Sequence, residues 1–207
     1  MKQFEENILD EEQDLDNEIP QKMPKQFKDY IKDLCSLLFS ILIAYLLAII
    51  VITFIGTFSI VNGKSMENTL YHGEHLWIDK LSYIFSKPER FDIVIFPHLN
   101  SDNKEVFYIK RIIGLPGESI KIDSSGNILI DGKVLEEDFG KEAITSDKLG
   151  RANKEILLGA DEYFVLGDNR NHSGDSRYSD VGNVLGKEIV GKAVLKVWPL
   201  NKFSTIK

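Results

Sequence analysis

The sequence predicts a mainly β fold preceded by one transmembrane helix, and two observations carry that expectation. From Leu34 to Val61 the chain runs for 28 residues without a charge, whereas a bilayer core needs roughly 20 residues of helix. Behind that run, short stretches rich in β-branched and aromatic residues alternate with turn residues, and no amphipathic helical pattern interrupts them. The charge is sorted along the chain as well. Met1 to Glu18 holds one basic residue against eight acidic ones, a net of −7 that equals the net charge of all 207 residues. The remainder is balanced, so composition gives no ground for nucleic-acid binding or for a basic substrate.

Taken in order, residues 1–33 read as a cytoplasmic acidic tail, too polar at its start to bury a core. Residues 34–56 read as the membrane anchor, ending near Gly56 and leaving "TFSIV" as apolar chain at the membrane surface. A cleavable signal peptide has a short basic leader and an apolar core of roughly 7 to 15 residues. Here 33 residues, acidic overall, come first, which argues for an uncleaved anchor. Lys22, Lys25, Lys28 and Lys32 precede the span and only Lys64 follows closely, so the positive-inside bias predicts a cytoplasmic N-terminus.

Residues 57–207 are then an extracytoplasmic domain of 151 residues, enough to bury one good-sized core. Cys35 is the sole cysteine, which excludes an intrachain disulfide and a zinc site built on cysteine pairs. The expected strands are "HLWID", "FDIVIF", "EVFYIKRII", "SIKI", "NILI", "KVL", "EYFVL" and "IVGKAVLKVW". "NILIDGKVL" is a hairpin signal, because Asp131-Gly132 suits a two-residue turn with positive φ. "SIKIDSSGNILI" is a second hairpin with a looser turn at Ser124 to Asn127. Asp138 to Asn153 is polar without clear periodicity and reads as the loop of an inserted subdomain.

Three stretches could carry chemistry. In "EVFYIKRII", period-2 alternation puts Tyr108, Lys110 and Ile112 on one face and Ile109, Arg111 and Ile113 on the other. A lysine on an apolar face either carries its ammonium to the rim of the sheet or loses charge through desolvation and becomes a base. Ser65, before "MENTL", either caps a helix or, beside flexible Gly63, is a nucleophile awaiting a base. Ser65 and Lys110 make a coherent pair.

The third stretch, "LGDNRNHSGDSRYSD" from Leu166 to Asp180, is dense in hydrogen-bonding groups. It reads as a stapled turn, with a poor calcium-loop spacing as the alternative, since Asn169 stands where an Asp belongs. The histidines, His72, His75, His98 and His172, offer a Ser-His-Asp reading or, in "HGEH", a metal pair. Nothing in the spacing sets any of them against Ser65.

Three motifs in this order resemble the bacterial type I signal peptidases: "SMENTL" behind a span, "KRIIGLPGE" on a strand and "GDNRNHSGDSR" behind a later strand. With the anchor they organise nearly all of the chain from Leu34 onward. The resemblance implies that Ser65 is the nucleophile and Lys110 the general base, that Ser173 hydrogen-bonds and orients the lysine, and that Asp175 and Arg177 pair to hold their loop beside the site. It also implies an antiparallel β catalytic core with an inserted β subdomain over about residues 119–156. The implied reaction is removal of signal peptides from exported preproteins, after small residues in an Ala-x-Ala pattern and with the Ser65 N–H as one oxyanion donor. No metal or organic cofactor is implied. Secreted preproteins, membrane lipid and the secretion translocon are the implied partners, and a cell membrane with the catalytic domain outside is the implied location.

The chain departs from that family's pattern in three places. Asn68 stands where proline is usual, Glu118 where aspartate is common, and Gly63 where some members carry a serine that completes the oxyanion hole. Two rivals share the features. Self-cleaving repressors use a similar Ser-Lys dyad, but without an anchor and with a DNA-binding domain for which this chain has no room. A signal-peptidase-like factor for surface pilus assembly would be anchored and non-catalytic, with Asn68 as its main support.

Overall fold

The computed structural model describes residues 25–100 and 102–206, and most of the expected acidic tail lies outside the described residues. The chain forms two compact units, residues 1–49 and 50–207. In the first, helix α1 spans Lys25–Ile50. The stretch Phe27–Ile55 is long and apolar enough to cross a membrane. Its apolar side chains, Leu37, Leu38, Phe39, Leu46 and Leu47 among them, are exposed, an arrangement suited to lipid and costly in water. The Ser40 hydroxyl donates to the Ser36 carbonyl at 2.9 Å, so this polar group is satisfied within the helix. After Ile50 the helix widens into a π-helical turn, Val51–Ile55, and stops at Gly56.

The second unit is built from antiparallel strands. Its larger sheet holds β1 (Gly56–Ile60), β2 (His75–Asp79), β3 (Ile93–Leu99), β4 (Glu105–Gly114), β9 (Glu162–Leu166), β10 (Val184–Leu185), β11 (Gly191–Trp198) and β12 (Ser204–Thr205). The order across it is β1-β2-β11-β3-β4-β9-β10, with β12 on β11. Four of the five residues of "TFSIV" belong to β1, in register with β2 from Gly56 opposite Asp79 to Ile60 opposite His75, with Phe58 and Ile60 exposed. Pairing satisfies backbone groups that a loose apolar segment would leave unbonded. β3 and β4 form a long hairpin from Ile93 opposite Arg111 to Leu99 opposite Glu105.

The second sheet, in the order β7-β6-β5-β8, is threaded into the connection between β4 and β9. Its strands are β5 (Ser119–Ile122), β6 (Ile128–Ile130), β7 (Lys133–Val134) and β8 (Ile156–Leu157). Asp131 and Gly132 make the β6–β7 turn with φ of 49° and 74°, the geometry of a type I′ hairpin. In the looser β5–β6 turn, Asp123 Oδ1 accepts from the Ser125 and Asn127 amides, each at 2.9 Å. The polar stretch 138–153 contains two short 3₁₀ turns. One further helical turn, α2 (Ser82–Phe85), is too short to leave a period in the sequence.

Apolar burial on both faces of the sheet fixes where the chemistry sits. Met66, Leu70, Leu76, Ile78, Ile95 and Ile109 make one cluster, and Val94, Phe96, Ile112, Tyr163 and Val165 make another. A third, including Ile113, Ile120, Ile122, Phe164 and Leu166, joins the two sheets. A fully buried side chain of this size contributes roughly 1.5 to 3 kcal/mol. Met66 and Leu70 thus pin the segment that carries Ser65 into the first cluster.

Candidate active site

Ser65 leaves β1 on a turn, not at the start of a helix. The amides of Glu67, Thr69 and Leu70 donate to the carbonyls of Lys64, Met66 and Met66 at 3.1, 3.1 and 2.7 Å. This is one tight loop, and the helix-cap reading of Ser65 does not apply. Buried Met66 and Leu70 hold the loop from below, which leaves the Ser65 side chain free to face β4.

Lys110, in the middle of β4, is only 4% exposed. Its Nζ donates to Ser65 Oγ at 2.9 Å and to its neighbour's carbonyl, Ile109 O, at 3.1 Å, and lies 4.8 Å from the centroid of the Tyr108 ring. The side chain does not escape to the rim of the sheet. Burial pushes its pKa down from 10.5 to about 8, while the carboxylates of Asp175 and Asp168 oppose that fall. Stripping water from the ammonium disfavours the charged form, and two nearby negative charges recover part of the loss. The amine that results is partly neutral near physiological pH and can accept a proton.

The loop after β9 surrounds this pair. Asp175 and Arg177 form a bidentate ion pair with both side chains fully buried, Arg177 Nε to Oδ1 and Nη2 to Oδ2, each at 2.8 Å. The Gly167 amide also donates to Asp175 Oδ2 at 3.1 Å. Ser173 is buried beside the site, but its Oγ has no hydrogen-bond partner among the described residues. The expected bond from Ser173 to Lys110 is therefore not made in this structure, and the lysine is held by Ile109 O and by its packing. Gly167 lies so close that a Cβ there would stand 2.2 Å from Ser173 Oγ and 2.4 Å from the Ser65 carbonyl oxygen. Only glycine lets the two segments approach in this way.

Several site residues escaped the sequence reading. Arg111, next to Lys110, is fully buried and pairs with equally buried Asp168, Nε to Oδ1 at 3.0 Å and Nη2 to Oδ2 at 2.8 Å. Thr69 Oγ1 donates to Asp168 Oδ2 at 2.6 Å. Asn169 grips the Ser65 turn, its backbone N–H donating to Ser65 O and its Nδ2 to Lys64 O, both at 3.0 Å. A usable signal was present, because alternation set Arg111 on an apolar face and a buried guanidinium requires an anion. Asp168 opens the very motif that supplies one.

An open groove of about 240 Å³ runs past the pair, lined among others by Ile60, Asn62, Phe107, Tyr108 and His172. Neither histidine beside the turn serves Ser65. His72 Nδ1 accepts from the Gly63 N–H at 3.2 Å, and His172 Nδ1 is 3.6 Å from Glu142. The Ser-His-Asp reading thus finds no base here among the described residues, and the Asn169 side chain of the calcium reading is engaged as a donor to Lys64.

Residues 34–198 match the family model described as signal peptidase, peptidase S26. The chain is 38% identical over 151 residues to a probable signal peptidase I-2 of Synechocystis sp., covering 72% of this chain and 66% of that protein. It is 37% identical over 160 residues to a signal peptidase I of Leptolyngbya laminosa, covering 74% of each. With a signal peptidase I P of Bacillus subtilis subsp. natto the identity is 38% over 155 residues, covering 72% of this chain and 81% of the relative. A crystal structure of a signal peptidase I from Enterococcus faecalis is similar with a TM-score of 0.41 and 34% identity, covering 52% of this chain and 97% of that one.

Proposed function

The chain belongs to the signal peptidase family, peptidase S26, and on that premise we propose that it is a membrane-anchored serine endopeptidase that removes signal peptides from exported preproteins. Ser65 is the nucleophile and Lys110 the general base. The observation that carries this reading is the 2.9 Å approach of Lys110 Nζ to Ser65 Oγ, inside a setting that brings the lysine to a pKa of about 8.

Neutral Lys110 takes the Ser65 hydroxyl proton as Oγ attacks the scissile carbonyl carbon. The resulting oxyanion is met by the Ser65 backbone N–H. When the carbon–nitrogen bond breaks, the ammonium of Lys110 returns the proton to the departing amine, which is the new N-terminus of the mature protein. Lys110 then takes a proton from water, the hydroxide attacks the acyl-enzyme, and Ser65 Oγ recovers its proton as the signal peptide leaves with a carboxylate. Asp175–Arg177 and Arg111–Asp168 hold the surrounding loops. Small residues in an Ala-x-Ala pattern are the substrate signal that accords with the family.

For the membrane part, the support is the apolar stretch Phe27–Ile55 and what adjoins it. Lys80 donates its amide to Ile55 O at 3.0 Å and its Nζ to Ile52 O at 3.2 Å. The helical turn that follows presents exposed Ile84 and Phe85, apolar groups suited to lipid. The lysine bias sets the N-terminus in the cytoplasm and the β domain outside, with the translocon as the source of substrate. A non-catalytic assembly factor would have no use for a desolvated lysine held on a serine, since that burial destabilises the fold and brings it nothing in return.

The test is cleavage of an Ala-x-Ala preprotein by the detergent-solubilised protein. Ser65→Ala and Lys110→Ala are each expected to lower the rate by several orders of magnitude. Full activity of the Ser65→Ala protein refutes the mechanism, and a folded but inactive wild type favours the assembly factor.

A further inference from the structure

The catalytic cycle just described makes no use of one contact on the nucleophile turn. Asn68 has a φ of 105°, a conformation that non-glycine residues seldom adopt and that asparagine tolerates better than most. Its Nδ2 donates to the carbonyl of Phe139 at 3.0 Å, across 71 residues of sequence. Phe139 belongs to the segment inserted between β4 and β9, and its ring covers the Arg111 guanidinium, 3.8 Å from ring centroid to guanidinium carbon. Two residues on, the Lys141 amide donates to Asp168 O at 2.8 Å, and Lys141 Nζ meets Glu67 Oε2 at 2.7 Å. That last pair is exposed and worth little; the Asn68 bond is exposed too, and what sets it apart is that its acceptor residue, Phe139, packs directly on buried Arg111.

These contacts close a ring. It runs from the Ser65 turn through Asn68 to Phe139, from Phe139 to Arg111, from Arg111 to Asp168, and from Asp168 through Thr69 back to the turn. Arg111 directly follows Lys110, so the ring ties the nucleophile's turn to the base's strand through the inserted segment. We propose that Phe139–Lys141 is a strap that sets the nucleophile turn, and that Asn68 is the positioning residue through which it acts. The assignment rests on Ser65 being the nucleophile. Proline, fixed near a φ of about −65°, cannot reproduce the observed backbone and has no side-chain donor. In this chain a long-range hydrogen bond does what a rigid ring does locally.

A substitution series separates the bond from the backbone conformation. Asn68→Gly keeps the positive φ and loses the donor. Asn68→Asp keeps the shape and sets a carboxylate against the Phe139 carbonyl. In preprotein cleavage both are expected to lower kcat about tenfold, with KM within about twofold and the thermal midpoint nearly unchanged, because a small misplacement of a reacting group is costly. A merely structural role would lower the midpoint and leave kcat per folded molecule intact, and wild-type kcat in both variants overturns the proposal. Amide exchange supplies a readout independent of activity. The Leu70 N–H, bonded to Met66 O at 2.7 Å, is expected to exchange faster in both variants, and unchanged protection also overturns the strap. If the wild type fails to cleave, the enzymatic reading falls while exchange still decides the strap.

Discussion

Lys110 Nζ lies 2.9 Å from Ser65 Oγ and does so as a buried group whose pKa has fallen to about 8. In the proposed mechanism the neutral amine is the reactive form, so activity is expected to rise with pH through about 8 and to level off above it. A pH profile of kcat/KM for the wild type measures this. A limb in the carboxylate range, with nothing near 8, would reject lysine as the base.

The same desolvation predicts a stability gain from removing the charge. Below pH 8 the lysine is protonated in both folded and unfolded chains, and the folded state bears the full penalty. Between 8 and 10.5 the folded lysine releases its proton first, so the penalty fades as pH rises. Lys110→Met is expected to be inactive yet more stable at pH 7 by on the order of 3 kcal/mol, from the fall between 10.5 and about 8. Urea midpoints at pH 7 and pH 10 check both the gain and its shrinkage.

Gly167→Ala tests the packing of the Ser65 turn against the loop after β9. The new methyl would meet Ser173 Oγ and the Ser65 carbonyl oxygen at 2.2 and 2.4 Å, and a backbone atom cannot step aside without moving the nucleophile. Cleavage is expected to fall by roughly 100-fold, with a stability loss of about 1 to 3 kcal/mol from overpacking. Single-turnover kinetics and thermal melts of the same variant separate the two effects.

Asp168→Ala and Asp175→Ala each strand a buried guanidinium, and each is expected to cost about 3 to 5 kcal/mol. The double variant Arg111→Met with Asp168→Leu removes both charges and is expected to recover most of that stability. A double-mutant cycle by chemical denaturation measures the difference.

Much of this was legible in the sequence, because the signals were local. The uncharged run marks the helix, period-2 runs mark the strands, and Asp131-Gly132 marks its own turn. Ser65 and Lys110, by contrast, each had a bland alternative when taken alone, a cap or a snorkelling cation. Only their juxtaposition decides between these, and sequence spacing does not encode juxtaposition. Strand order was hidden for the same reason, since β11 inserts between β2 and β3 from far along the chain. That "TFSIV" pairs as an edge strand was not legible, because an edge strand and an apolar surface segment have the same composition. Arg111–Asp168 was readable in principle as two buried ions of opposite sign in neighbouring motifs.

Both ion pairs that brace the loops around Ser65 and Lys110, Arg111–Asp168 and Asp175–Arg177, are sealed from solvent, and the sole cysteine, Cys35, belongs to the apolar helix. The loops are therefore locked as soon as the chain folds, with no oxidation step to wait for. The site is expected to be indifferent to thiol reductants and to the redox state of the compartment it faces.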